Sequence, residues 1–374
     1  MITRNTQIFV CILTGFSSQT NCLSLQRTYS KKTDSLHLSR RSALTTFVGS
    51  TFGFIVTPTP AFGTLDAPSE EATMAARKAF AAFETRNLPE AETQFSTAIA
   101  AWRQLDAGIY PTKRAELNDL LIARARVCVD SKRFVPALAD LDEAIGSMAL
   151  DGKRPDGRAA YFEFADAYVQ RGLAHEGLAG RPEQRPAEIS ADSEWQRAVE
   201  DYDEALSLWG PGGKGAGAGI GPNPFVLTYR GNARAALSDY NGALSDFRAS
   251  EGLFAEVAKK DATAGYRRID ALANEALALY ALGRTEEAAR IARTVVAKRP
   301  GLTDMRALLA AELWERGEVE AAESQWFDAC SDVSSPSGCG KYTDADWLRS
   351  VRRWPPSLVE AQMRFLKRVP PLRG

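Results

Sequence analysis

One spacing of small and bulky residues recurs down this chain and leaves few folds open to it. An alanine is followed four residues later by a large side chain or a second alanine, and usually by another alanine three further on. The instances are Ala91/Phe95/Ala98, Ala137/Leu141/Ala144, Ala198/Tyr202/Ala205, Ala243/Phe247, Ala288/Ala292 and Ala322/Trp326/Ala329. Residues four and seven apart share one face of a helix, so each instance predicts a helix with a small contact point and a bulky neighbour. Polar turns precede several of them: Arg86-Asn87-Leu88-Pro89, Asp130-Ser131-Lys132, Ser238-Asp239-Tyr240 and Arg316-Gly317. Residues 223–254 are the clearest unit, predicting one helix over 224–237 and a second over 241–254. Gly231, Ala235 and Ala243 keep that contact thin, and Leu227, Leu237, Tyr240, Leu244 and Phe247 fill the space around it. A lone hairpin cannot bury its apolar face, so the pattern demands stacked neighbours.

Leu227, Gly231, Tyr240, Ala243 and Phe247 stand at spacings that resemble the tetratricopeptide repeat (TPR), a helix–turn–helix unit of about 34 residues. Ala288 and Ala322 are 34 residues apart. The resemblance implies an all-α fold: a TPR-type α-solenoid of about six hairpins over residues 66–330, with C-terminal capping helices in 331–374. The expected hairpins cover about 70–105, 114–149, 159–209, 224–254, 263–299 and 303–330, the third interrupted by an insert over 180–192. Residues 210–222 hold seven glycines. Gly213-Lys214 is followed by Gly215 rather than Ser or Thr, and no strand precedes it, so a linker is expected there and not a phosphate loop.

The charge is uneven. Residues 1–65 hold six Lys or Arg and one acid, leaving 40 basic and 46 acidic residues in the remainder, and residues 341–374 hold eight basic and three acidic. The first 65 residues read as targeting sequence. The short apolar run Ile8–Phe16 suits a signal-peptide core, and Ser/Thr-rich basic residues follow to His37. Arg40-Arg41 then opens a charge-free stretch that ends in small residues near Thr59–Gly63. This resembles a twin-arginine signal behind a plastid transit region and implies delivery to the thylakoid lumen, the alternatives being the stroma or an N-terminal membrane anchor.

The residues offer little for catalysis. His175 is the one histidine beyond the targeting region, so no metal set or His-based triad can be assembled, and no cofactor is expected. Glu200, Asp201, Asp203 and Glu204 are expected on a solvated helix face. An acidic array without a basic-aromatic stripe argues against nucleic acid. The expected role is protein binding, and the alternatives are an accessory subunit of a larger complex or an enzyme with an unrecognised acid pair.

In TPR proteins the first helix of each hairpin lines a groove for a partner peptide or helix. Aligned on the small residues, the groove positions here are Arg126, Thr228, Asn232, Leu277, Tyr280 and Trp314, with Val129, Val169, Leu173 and Ala311 beside them. Ala76, Ala273 and Leu277 stand where a Lys/Asn carboxylate clamp would be, which disfavours an Hsp70 or Hsp90 co-chaperone. In the tail, Thr343–Asp346 and Ser357–Glu360 both have capping-box spacing, and Val359, Met363 and Leu366 form a stripe expected to close the array. Arg364, Lys367 and Arg368 lie outside that stripe and also suit an acidic partner or lipid headgroups. Cys128 is expected to be buried, while Cys330 and Cys339 flank a polar loop as either a disulfide or two free thiols.

Overall fold

The computed structural model describes residues 7–11, 22–26, 67–110, 112–151, 161–209, 222–259, 262–331 and 339–368. Arg40, Arg41, the expected cleavage region and most of the glycine-rich linker lie outside them. Gln7–Cys11 (β1) and Cys22–Gln26 (β2) form an antiparallel pair, with Ile8 opposite Leu25. A strand thus takes the first part of the run expected as a signal-peptide core.

Among the described residues everything else with regular structure is helical. Fourteen α-helices follow among the described residues: α1 Glu70–Glu84, α2 Leu88–Gln104, α3 Lys113–Asp130, α4 Phe134–Asp151, α5 Tyr161–Ala179, α6 Ala191–Trp209, α7 Pro224–Ala236, α8 Tyr240–Ala258, α9 Ala262–Ala281, α10 Thr285–Lys298, α11 Thr303–Glu315, α12 Val319–Ser331, α13 Ala345–Ser350 and α14 Pro356–Leu366. The first twelve pair in sequence as six antiparallel hairpins. The chain divides into two compact units, Met1–Gln170 and Arg171–Gly374, with the division inside α5. The tail is part of the second unit. Among the described residues no helix is long and apolar enough to cross a membrane.

Five hairpins turn in the same way. Arg86, Lys132, Ser238, Gly283 and Gly317 each take a left-handed φ of 61–80° just past the first helix. The next amide then donates back to a carbonyl of the last helical turn, as from Asp239 to Arg234 at 2.8 Å and from Glu318 to Leu313 at 2.9 Å. This closure satisfies carbonyls that a helix end leaves free. Hairpin three lacks it. There Arg185, from the insert, donates to the carbonyls of Leu178 and Ala179 at the end of α5 (3.2 and 2.9 Å). A cation is favoured at a helix C-terminus.

The small-residue prediction is met at atomic scale. A Cβ placed on Gly231 would lie 2.6 Å from the Phe247 ring, and one on Gly172 would lie 2.6 Å from the Tyr202 ring. Gly172 and Gly231 occupy the same place in their hairpins, as do Tyr202 and Phe247. The extra hydroxyl of Tyr202 needs a partner once buried, and it donates to Glu176, one turn beyond Gly172, at 3.0 Å.

Two expected caps are placed differently. The cap of α13 is Asp344, whose carboxylate accepts from the amides of Asp346 and Trp347 (2.9 and 3.1 Å), while Thr343 donates to the Gly340 carbonyl within a 3₁₀ turn, Gly340–Thr343. Ser357 lies inside α14, which begins at Pro356. Proline's fixed φ suits the first helical position, so the helix starts one residue before the serine that would have capped it.

Cys330 at the end of α12 is bonded to Cys339, with Cα atoms 4.7 Å apart. Replacing both by serine is expected to lower stability by about 2–3 kcal/mol, the loop-closure entropy of so short a ring. The measurement is thermal unfolding of the oxidised chain and the double variant, with alkylation and mass spectrometry to establish the oxidised state. Coincident melts, or full alkylation without prior reduction, would contradict it.

Candidate functional site

In the second unit α7 touches α9, and α14 packs against both α9 and α11, each the first helix of its hairpin. The last turn of α14 supplies the anchor. Phe365 is fully buried, with its ring 5.6 Å from that of Trp314 on α11 and 5.9 Å from that of Trp326 on α12, both edge-on. That geometry suits the quadrupoles of aromatic rings. Arg364 pairs with Glu315 at 2.8 Å, and Arg368 pairs with Glu323 at 3.1 Å while lying over the Trp314 and Phe365 rings. Nearer the start of α14, Leu358 and Val359 join the main core of the unit. The buried face is therefore broader than the expected stripe. Leu358, Val359, Ala361, Gln362 and Phe365 are buried, and Met363 and Leu366 only half so.

The segment between α13 and α14 is fastened to the same unit. Asp304, 1% exposed, accepts from Arg352 with both carboxylate oxygens and from the Trp354 indole at 2.9 Å. Trp354 and Trp347 both pack against the buried Tyr342. Arg353 lies 4.4 Å over the Trp195 ring of α6 and 3.8 Å from Glu176 of α5. Burial raises the pKa of Glu176, opposed by Arg353 and by the Tyr202 hydrogen bond.

The expected groove residues are spread over this framework. Asn232 accepts from the Asn274 amide at 3.3 Å, joining α7 to α9, and both are half-buried. Thr228 is expected to face a partner, but its hydroxyl donates to the Pro224 carbonyl and meets the Ser250 hydroxyl at 2.8 Å, which ties the two helices of its own hairpin together. Leu277 and Tyr280 are buried in the core that α14 completes, and Trp314 is 7% exposed beneath Phe365 and Arg368. Trp314 thus meets a helix, and that helix is the chain's own. Arg126 belongs to the first unit, where its guanidinium pairs with Asp166 of α5. Val129, Val169 and Ala311 are buried, and Leu173 is half-buried.

One feature of three hairpins escapes the spacing argument. An arginine just before the small residue of the first helix pairs with an aspartate just before the bulky residue of the second. The pairs are Arg124–Asp140 at 2.6 Å, Arg171–Asp201 at 2.7 Å and Arg230–Asp246 at 2.5 Å, with each aspartate side chain at most 5% exposed. Each arginine uses two nitrogens, the geometry that makes an Arg–carboxylate pair strong. Asp201, expected on a solvated face, is therefore buried. It also lies 3.9 Å from His175, whose Nδ1 is 2.6 Å from the buried Glu194. His175 is thus a core histidine held among carboxylates. Cys128 is buried and unbridged, and burial pushes its thiol pKa up to about 12, so it has the character of a packing residue.

No family model and no curated protein matches the chain. Among solved structures it is similar to a crystal structure of the P58(IPK) TPR domain, at 14% sequence identity over 80% of each chain and a TM-score of 0.23. A superposition at that score adds nothing to the hairpin geometry. The sequential antiparallel pairs, the glycine–ring contacts and the shared turns are what make this a TPR-like all-α fold.

Proposed function

We propose that this chain is a non-enzymatic scaffold that holds protein partners on the face built by its first helices. A single observation carries the reading: α14, an amphipathic helix, packs on the first helices α9 and α11, with an aromatic anchor and flanking ion pairs shared between α11 and α12. Helix-in-groove recognition uses such contacts. The half-buried Asn232–Asn274 pair provides the polar part of the surface, suited to a partner's backbone. The targeting sequence around Arg40-Arg41 supports a thylakoid-lumen address, and with it a role as an assembly or maintenance factor. The alternative is an accessory subunit of a larger photosynthetic or plastid complex, and the basic tail also suits a peripheral contact with a membrane surface.

A photo-crosslinking residue in place of Asn232, introduced into the full chain in its native compartment, is expected to capture one or a few discrete proteins. Captures no different from those of the same residue placed at exposed Ile109 would sink the scaffold reading. A stoichiometric complex on native gels favours the subunit alternative. For the address, the amino terminus of the native protein is expected near Phe62 or Thr64, and a start before Arg40 would contradict it.

A further inference from the structure

The last turn of α14 differs from the rest of the tail. Tyr342, Leu348, Trp354, Leu358 and Val359 belong to the main core of the second unit. Phe365 instead belongs to a small separate cluster with Ala310, Leu313, Trp314 and Ala322. Around it the contacts are those of a recognition site: one ring edge-on to two tryptophans, and a cation on each side meeting Glu315 and Glu323. Trp326 packs against both clusters, while Phe365 itself belongs to the small one, so this turn can open with the core beneath Leu358 and Val359 in place.

We propose that the Trp314–Trp326 slot is a binding site for a partner helix that carries an aromatic residue flanked by basic ones, and that Phe365 with Arg364 and Arg368 is its resident occupant in cis. Charge complementarity selects that chemistry. Glu315 and Glu323 rim the slot, and one residue of the resident turn pairs with each. An acidic helix would set like charges against both. Tethering places the resident turn at an effective concentration in the millimolar range, so a partner in trans meets a site already competed for. Binding is expected to be weak in the native chain and to strengthen when the resident turn is removed. This inference rests on the scaffold reading but concerns one slot only.

The probe is a fluorescent peptide of residues 356–368, titrated into the full oxidised chain and into two full-length variants. Phe365→Ala removes the resident ring. Arg364→Glu with Arg368→Glu repels the turn from Glu315 and Glu323 and lifts the Arg368 cation off the Trp314 and Phe365 rings, while Phe365 itself is kept. Both variants are expected to bind the peptide at least about ten-fold more tightly than the native chain, a floor well below the roughly thousand-fold margin that millimolar tethering sets against a micromolar site. Equal affinity for all three chains overturns the proposal, as does absence of binding to a variant that retains a cooperative melt. A peptide with Glu in place of both arginines is expected to lose at least ten-fold on the variant carrying Phe365→Ala, and full retention would overturn the assigned charge complementarity. If crosslinking at Asn232 captures partners while the slot binds nothing, the slot proposal fails and the scaffold reading stands.

Discussion

Asp304→Ala is expected to cost about 3–5 kcal/mol, the range found when one member of a buried ion pair is removed. Its carboxylate accepts three hydrogen bonds, two from Arg352 and one from the Trp354 indole, at a site that water does not reach. Loss of the carboxylate leaves a half-buried guanidinium without the acceptor of its two hydrogen bonds. The effect is expected to be local in structure and global in stability. Trp354 packs on Tyr342, so the tail should loosen from α11 while hairpins one and two keep their fold. Denaturant unfolding measures the loss, and hydrogen exchange of residues 342–366 locates it. Unfolding within about 1 kcal/mol of the native chain would show that the tail is held by its apolar contacts alone. Asp304→Asn should lie between the two, since an amide keeps an acceptor for the indole but not the charge for Arg352.

Gly231→Leu is expected to cost about 3 kcal/mol, the upper part of the range for overpacked sites. Even a methyl group there meets the Phe247 ring at 2.6 Å, and that ring is 2% exposed, with no free side to move into. The mechanism makes a second, sharper claim. In a Phe247→Leu background the smaller side chain vacates the ring's volume, so Gly231→Ala should cost less there than in the native chain. A double-mutant cycle on thermal unfolding gives the coupling. A cycle in which the two costs simply add would mean that the glycine is not there for the ring.

Much of this architecture was legible because it is encoded by periodicity. A small residue with a bulky one four residues on along the same helix is a local pattern, and the turns carry local chemistry. Five hairpins end their first helix with the same left-handed residue, three of them without glycine, so it was the polar turn rather than the glycine that marked the place. The arginine–aspartate pairs are local in the sequence too, with Asp140, Asp201 and Asp246 each one position before the bulky Leu141, Tyr202 and Phe247. Composition assigns charged residues to solvent by default, and only the pairing distance shows otherwise. The groove was less legible for a different reason. Spacing says that Leu277, Tyr280 and Trp314 face inward but not what covers them. The covering helix lies 42 residues further on, counted from Trp314 to Pro356, and nothing local ties the two together.

The repeated arginine–aspartate pair bears on how this chain avoids assembling wrongly. Arg124, Arg171 and Arg230 are interchangeable in charge and position, and so are Asp140, Asp201 and Asp246. Electrostatics would therefore let α3 dock on α6 or α8 as readily as on α4 during folding. Side-chain volume does not. Next to those arginines stand Ala125, Gly172 and Gly231, and next to the aspartates stand Leu141, Tyr202 and Phe247. At the other two hairpins a ring lies 2.6 Å from where a Cβ would be, so α3 with its alanine would collide with either aromatic helix and is left with the leucine of α4. The charges attract any of these three first helices to any of the three second ones, and the one methyl group of Ala125 keeps α3 off the two aromatic helices.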